Sequence, residues 1–207
     1  MRRRRRARPA DSFRAFLAIR VPLMDLQDEH NDNLQRERLL YLLDEFHEMG
    51  TAVRPVAYNG MHLTLKFFGD LSLAQLKTAS DTVDAVAAAT SAFELHLHGV
   101  GAFPHEQRPS VVWVGAKDSE PCVTLAEELE LALSEVGFPM DSKPFKPHLT
   151  LARVKARPPE RLGELLKKNA DQDFGSFPVE RLELISSELT PSGPIYSTIT
   201  ESALALS

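Results

Sequence analysis

Apolar residues recur along this chain with two different spacings. In short runs every second residue is apolar, as at Phe93, Leu95 and Leu97, which is the spacing of a strand with one buried face. In longer runs apolar residues recur every three or four positions, which predicts amphipathic helices, and Ser72 is placed to cap one of them. The pattern predicts strands at 13–20, 53–56, 61–69, 93–98, 110–114, 146–154, 177–189 and 195–203, helices at 23–49, 72–89, 125–136 and 158–169, and a loop at 99–109.

The tetrapeptide His-Leu-Thr-Leu occurs twice, at residues 62–65 and 148–151, and each copy lies in a predicted strand. Successive side chains of a strand point to opposite faces, so that His and Thr share one face while both Leu residues share the other. Either copy alone fits a half-buried strand whose histidine makes local hydrogen bonds. The two copies together favour one ligand site that both strands build.

The order of the predicted elements is mixed, and no segment has the length or composition of a linker between autonomous domains. No glycine-rich phosphate loop follows any predicted strand, which argues against a nucleotide cofactor. We therefore predict an α+β fold of two related lobes, each centred on one copy of the repeat. This domain is expected to span residues 13–207, after a disordered arginine-rich tail at 1–12.

Paired histidines suit general acid–base catalysis near neutral pH, because an unperturbed imidazole titrates at about 6.5. Displacement at phosphorus requires such a pair when neither a metal nor a nucleophilic side chain takes part. One of His62 and His148 would take a proton from water while the other gives one to the leaving oxygen, from opposite sides of the phosphorus. Thr64 and Thr150, on the same face, could donate hydrogen bonds to the non-bridging phosphate oxygens.

Composition and charge further limit the classes of protein to which this chain can belong. The 207 residues are 43% hydrophobic and 26% charged, which is ordinary for a soluble protein, and no apolar run approaches the roughly 20 residues that span a bilayer. The single cysteine, Cys122, excludes an internal disulfide, and no secretory signal is found, so we expect a cytoplasmic protein. Apart from the six arginines within residues 2–8, the chain has 18 basic and 29 acidic residues. The body is therefore not a broad electropositive surface for nucleic acid.

Several other residues have an ordinary explanation beside a functional one. His96 and His98 form a His-x-His pair, but no acid or cysteine close in sequence completes a metal site. Trp113 is predicted to belong to the core. Phe68 and Tyr196 remain open between packing and stacking on a nucleobase.

The segments around the repeats resemble a known family, the 2H phosphoesterases, and within it the RNA 2′,3′-cyclic phosphodiesterase branch, also called 2′-5′ RNA ligase-like. The resemblance extends from about residue 13 to residue 203. Beside the two tetrapeptides, it rests on Gly-Val-Gly-Ala-Phe-Pro at 99–104, Pro-Phe-Lys-Pro-His-Leu-Thr-Leu-Ala-Arg at 144–153, Phe-Gly-Ser-Phe at 174–177 and Ser-Glu-Leu at 187–189.

The resemblance implies a bilobal fold, with a cleft between pseudo-twofold-related lobes, and metal-independent opening of an RNA 2′,3′-cyclic phosphate to a 2′-phosphomonoester. It makes His62 the general acid and His148 the general base, and implies no cofactor. Arg153 matches a family arginine near the phosphate or base. Lys146 stands where the family often has arginine, so a phosphate contact there would be a point charge.

The substrate and the partners follow from the same resemblance. We expect a monomer without a membrane partner that acts on RNA ending in a 2′,3′-cyclic phosphate or on a cyclic nucleotide. Alternatives within the enzyme class are a small cyclic nucleotide, a cyclic phosphate of ADP-ribose, or reversible 2′-5′ ligation of RNA ends. The non-enzymatic alternative is a module that binds RNA ends without turnover.

Overall fold

The computed structural model describes residues 12–22, 34–190 and 193–206, except for the side chains of residues 34, 35 and 59. Residues 1–11 of the predicted tail and the first part of the first predicted helix lie outside these ranges, whereas Ser12, the last residue of that tail, begins the first strand. The described residues form nine strands and four α-helices. The strands are β1 Ser12–Arg20, β2 Val53–Pro55, β3 His62–Ser72, β4 Phe93–Phe103, β5 Val111–Lys117, β6 His148–Val154, β7 Asp173–Val179, β8 Arg181–Thr190 and β9 Gly193–Ala203; the helices are α1 Leu34–Glu48, α2 Leu73–Ala89, α3 Glu120–Glu135 and α4 Glu160–Lys168.

All nine strands belong to one antiparallel sheet. Its order is β9, β8, β1 and β3, followed by β6, β5, β4 and β7, while β2 pairs with the far end of β6. The two halves meet where Leu63 of β3 pairs with Leu149 of β6, and these are the same position of the two tetrapeptides. The sheet therefore consists of two related four-stranded halves about that pair, which confirms the predicted α+β architecture of two lobes.

The helices cover one face of this sheet and leave the other face open. Helices α2 and α3 pack together and against the half that contains β3, while α1 and α4 pack against the half that contains β6. Both leucines of each tetrapeptide lie in the resulting core, with exposures of 0% for Leu63, Leu149 and Leu151 and 7% for Leu65. The His-Thr face of both strands is consequently on the open, concave side.

Two segments differ most clearly from the sequence prediction. Residues 99–103, expected to be a loop, continue β4, because Gly99 takes a positive φ of 72° at a bulge that keeps the strand paired with β5. The long strand expected at 177–189 is instead two strands, β7 and β8, in different halves of the sheet, with Glu180 between them. Both segments have the apolar composition of a strand, so that the sequence pattern did not reveal the change of sheet half.

The predicted start of α2 is confirmed. The Ser72 hydroxyl accepts the backbone N–H of Gln75, and the Gln75 side chain accepts the backbone N–H of Ser72, which satisfies two N–H groups that the helix itself leaves unpaired. Within the described ranges no helix is long and apolar enough to cross a membrane.

Candidate active site

The register between β3 and β6 brings the two His-Thr pairs together. Because the strands are antiparallel and Leu63 pairs with Leu149, the residues on either side of that pair oppose each other. His62 therefore faces Thr150, and Thr64 faces His148, on the concave face. His62 and His148 are diagonal to each other across this pair, and residues in that relation lie about 7–8 Å apart.

Both imidazoles are held by the same hydrogen bond. Nδ1 of His62 lies 2.6 Å from the carbonyl oxygen of Gly60, and Nδ1 of His148 lies 2.8 Å from that of Lys146. A carbonyl oxygen can only accept, so that Nδ1 carries a hydrogen in both rings whatever their charge. Nε2 is then the atom that gains or loses a proton, and in each ring it lies on the edge away from the anchoring carbonyl.

A bulge in β6 places Arg153 on the concave face as well. Trp113 of β5 pairs with Thr150, but Val112 pairs with Ala152, so that β6 contains an extra residue at this point. Without the bulge, Arg153 would point into the core, since it lies three residues after Thr150. The positive charge of Arg153 contributes to the lowered pKa of His62. Burial raises the pKa of Tyr196, and the charge of Arg153 opposes that rise, as expected for a group that faces the cleft.

His62 lies in an aromatic and charged environment. Its ring centroid is 4.7 Å from that of Phe16 and 5.1 Å from that of Tyr196, with which it makes an edge-to-face contact. Burial lowers the pKa of His62 and outweighs the hydrogen bond to Gly60, while the charges of Arg20 and Arg153 lower it further. The neutral imidazole is therefore favoured in the free protein.

Arg20 is the strand neighbour of His62, since the two residues pair between β1 and β3. Its guanidinium binds the Glu183 carboxylate, with Nε 3.0 Å from Oε1 and Nη2 2.8 Å from Oε2, and Thr198 donates to the same carboxylate. Burial raises the pKa of Glu183, but the hydrogen bonds from Arg20 and Thr198, together with the charges of Arg20 and Arg181, outweigh burial and lower the pKa. The sequence analysis did not identify Arg20 or Glu183, which come together from strands more than 160 residues apart.

His148 also has an aromatic neighbour. The ring of Phe103 lies 5.1 Å from His148 and 5.2 Å from Trp113. Trp113 is half-buried on the concave face beside Thr150, so that the prediction of a core residue is wrong. The sequence contained a signal for this position, because Val112 and Val114 are the buried residues of β5 and alternation places Trp113 on the opposite side.

The structure also resolves the remaining candidates. Phe68 packs edge-on against Phe138, at 5.2 Å, and contacts the core. Tyr196 lies beside His62, as described above. Nε2 of His96 lies 3.0 Å from Asp173, and no group of three or more His, Cys, Asp or Glu residues in the described ranges is arranged to hold a metal ion.

Comparison with known proteins identifies the family. The model of the 2′-5′ RNA ligase superfamily matches residues 54–191. The chain belongs to this superfamily. A relative named RNA 2′,3′-cyclic phosphodiesterase from Methanothermobacter thermautotrophicus is 33% identical over 89% of this chain and 95% of its own length. A second of that name, from Archaeoglobus fulgidus, is 34% identical over 90% of this chain and 98% of its own length.

Solved structures of the superfamily share the fold. The crystal structure of TT0787 from Thermus thermophilus aligns with a TM-score of 0.75 and 30% identity over 92% of this chain and 97% of that one. Escherichia coli LigT in complex with 3′-AMP aligns with a TM-score of 0.70 and 25% identity over 94% of this chain and 99% of that one. The predicted resemblance to 2H phosphoesterases is thus confirmed over nearly the whole chain.

Proposed function

We propose that this protein opens the 2′,3′-cyclic phosphate at an RNA end to a 2′-phosphomonoester, with His62 and His148 as the acid–base pair. The observation that carries the proposal is the pair of imidazoles with identical Nδ1 anchors on one concave face. The superfamily relatives named RNA 2′,3′-cyclic phosphodiesterase support the reaction and bear out the predicted enzyme class, a hydrolase of phosphoric diesters.

In the proposed step, Nε2 of His148 takes a proton from water as the water oxygen bonds to phosphorus. The bond between phosphorus and the 3′ oxygen breaks, and Nε2 of His62 gives its proton to that oxygen. The products are a 2′-phosphomonoester and a free 3′-hydroxyl, and exchange with solvent restores both imidazoles. Attack and departure take place on opposite sides of the phosphorus, which suits one histidine on each half of the sheet. The two imidazoles are anchored in the same way, so that the direction of the roles rests on the family resemblance.

The threonines and Arg153 would stabilise the transition state. Thr64 and Thr150 lie across from the histidines, where their hydroxyls can donate to the non-bridging oxygens as negative charge concentrates there. Arg153 offers two parallel N–H groups to the same oxygens. With both protons carried by imidazoles, this route requires no metal ion.

The environment of His62 predicts how the rate depends on pH. A general acid must carry a proton, yet burial and two guanidinium groups lower the pKa of His62. We expect kcat/KM, which reports on the free enzyme, to fall with rising pH along a limb that lies below the usual histidine range. A bound phosphate anion stabilises the imidazolium, so the corresponding limb of kcat should lie at higher pH.

The test is hydrolysis of a 2′,3′-cyclic nucleotide in EDTA, with separation of the 2′- and 3′-phosphate products. His62→Ala and His148→Ala should each lower kcat by roughly 10²–10⁴-fold. His47→Ala, which changes an exposed histidine on α1, serves as the control. Normal turnover by either active-site variant, or a requirement for added metal, would refute the proposed mechanism, and a 3′-phosphate product would refute the proposed leaving group.

A further inference from the structure

A cavity of about 370 Å³ lies next to His148, between β4, β5 and the segment that precedes β6. It adjoins the catalytic face, because Gly115 on its wall is the strand partner of His148. Its volume falls in the range of pockets that hold small organic ligands and exceeds what a phosphate group requires. The residues that line it include His98, Trp113, Gly115, Phe145, Lys146 and Ala170.

The indole of Trp113 lies flat along one wall of this cavity. A Cβ atom at Gly101, its partner on β4, would come within 2.4 Å of the ring, and one at Gly115 within 3.2 Å, so that only glycines allow the ring to lie against the strands. The indole N–H is buried and has no acceptor in the described part of the chain. A hydrogen bond therefore does not account for a tryptophan at this position. The broad aromatic surface of Trp113, part of which faces the cavity, does account for it.

A positive charge stands at the edge of the cavity. Lys146 is exposed, and its ammonium has no hydrogen-bond or ion-pair partner among the described residues. Apart from the six arginines within residues 2–8, the chain carries 18 basic against 29 acidic residues, so that a cation beside an aromatic wall is a local feature. An aromatic surface for a base and a cation for the backbone are together the usual elements of a site for single-stranded nucleic acid.

We propose that this cavity binds the nucleotide immediately 5′ of the one that carries the cyclic phosphate, with its base against Trp113 and the linking phosphate near Lys146. The proposal rests on the proposed function. The reacting phosphate must lie between His62 and His148, and the leaving 3′ oxygen holds its ribose towards His62. A base in a cavity beside His148 therefore belongs to another nucleotide. An RNA end continues only in the 5′ direction from its cyclic phosphate. The substrate is accordingly an RNA end of two or more nucleotides rather than a cyclic mononucleotide.

Binding can be followed without turnover, because Trp113 is the only tryptophan in the chain. His62→Ala, which changes the other half of the site, should leave the cavity intact. Its fluorescence would be titrated with cytidylyl-adenosine 2′,3′-cyclic phosphate, adenosine 2′,3′-cyclic phosphate and adenosine. We expect the dinucleotide to quench the fluorescence and to bind at least about tenfold more tightly than the mononucleotide, since one more base stacks.

Three outcomes would overturn the proposal. Equal quenching by the mononucleotide would assign the cavity to the base of the reacting nucleotide. Equal quenching by adenosine would assign it to a separate nucleoside. If the dinucleotide displaced the mononucleotide without quenching the fluorescence of Trp113, the second nucleotide would not bind in the cavity.

Steady-state kinetics supply the second measurement. The wild type should show a higher kcat/KM for the dinucleotide than for the mononucleotide, and Lys146→Gln or Trp113→Leu should reduce that ratio several-fold. Lys143→Gln, an exposed lysine on the same segment that is not part of the cavity wall, is the matched control and should keep the ratio. Trp113→Phe, which retains a smaller ring, covers the case in which Trp113→Leu does not fold.

An unchanged ratio in Lys146→Gln would contradict the placement of the linking phosphate. If the wild type hydrolyses neither compound, the proposed function fails, whereas the fluorescence titration still tests the cavity.

Discussion

Lys66 lies on the core side of β3 with only 4% of its surface exposed. Its ammonium donates to both carboxylate oxygens of Glu130 on α3, at 2.7 and 2.6 Å, and to the carbonyl oxygen of Pro139 at 2.7 Å, so that all three donors are used. The Glu130 carboxylate also accepts the backbone N–H of Asp141. This network connects β3 to the segment that leads to β6.

Replacing Lys66 by Met keeps a side chain of similar length but removes the charge. Glu130 then keeps one donor, and the carbonyl of Pro139 loses its partner. Removing one partner of a buried ion pair costs about 3–5 kcal/mol. The Glu130 side chain is 18% exposed and retains some contact with water, so we expect the lower end, about 3 kcal/mol. For a chain of 207 residues, this corresponds to a fall in Tm of about 6–12 °C.

Urea and thermal unfolding, followed by circular dichroism, measure this cost. The control is Lys77→Met, because Lys77 pairs with Asp81 at 2.7 Å on the surface of α2, where it is 77% exposed, and such a pair contributes about 0–1 kcal/mol. The double variant Lys66→Met/Glu130→Leu should recover much of the stability, since it leaves no unpaired charge. A loss at Lys66 no larger than that at Lys77 would refute the reasoning.

Three further predictions concern the cleft and the core. Arg20→Gln removes a charge that lowers the pKa of His62; that pKa, followed by NMR titration, should rise, and the alkaline limb of kcat/KM should move to higher pH. An unmoved pKa would contradict the assigned electrostatics. Gly101→Val should displace Trp113 and change its fluorescence spectrum, because the added Cβ would lie 2.4 Å from the ring; an unchanged spectrum would be incompatible with the packing described. Burial raises the pKa of the Cys122 thiol to about 12, so that it should resist thiol reagents at pH 8 until the protein unfolds; rapid labelling of the native protein would contradict its burial.

The repeat determined most of what could be predicted about the site. Alternation alone placed the leucines of both tetrapeptides on one face and the histidines and threonines on the other, and the core confirms the leucine side. The start of α2 followed equally from local chemistry at Ser72. These features depend on residues within a few positions of one another, where the period of a strand and the capping of a helix operate.

Other features of the site could not be predicted from residues that are close together in sequence. The bulge that turns Arg153 to the cleft depends on the pairing of β6 with β5. No residue type in the sequence indicates this bulge. Alternation along β5 indicates the face on which Trp113 lies, but the space for its ring depends on Gly101 of the neighbouring strand.

The sequence by itself determined that two like strands exist, which residues share their polar face, and which family they belong to. Only the tertiary structure decided that the two strands pair at Leu63 and Leu149 and that the two sides of the site differ. His62 lies beside Phe16, Tyr196 and Arg20, which binds Glu183, whereas the aromatic neighbour of His148 is Phe103. The physical reason is that strand period is a local property. Register and the approach of side chains from distant strands are properties of the folded sheet.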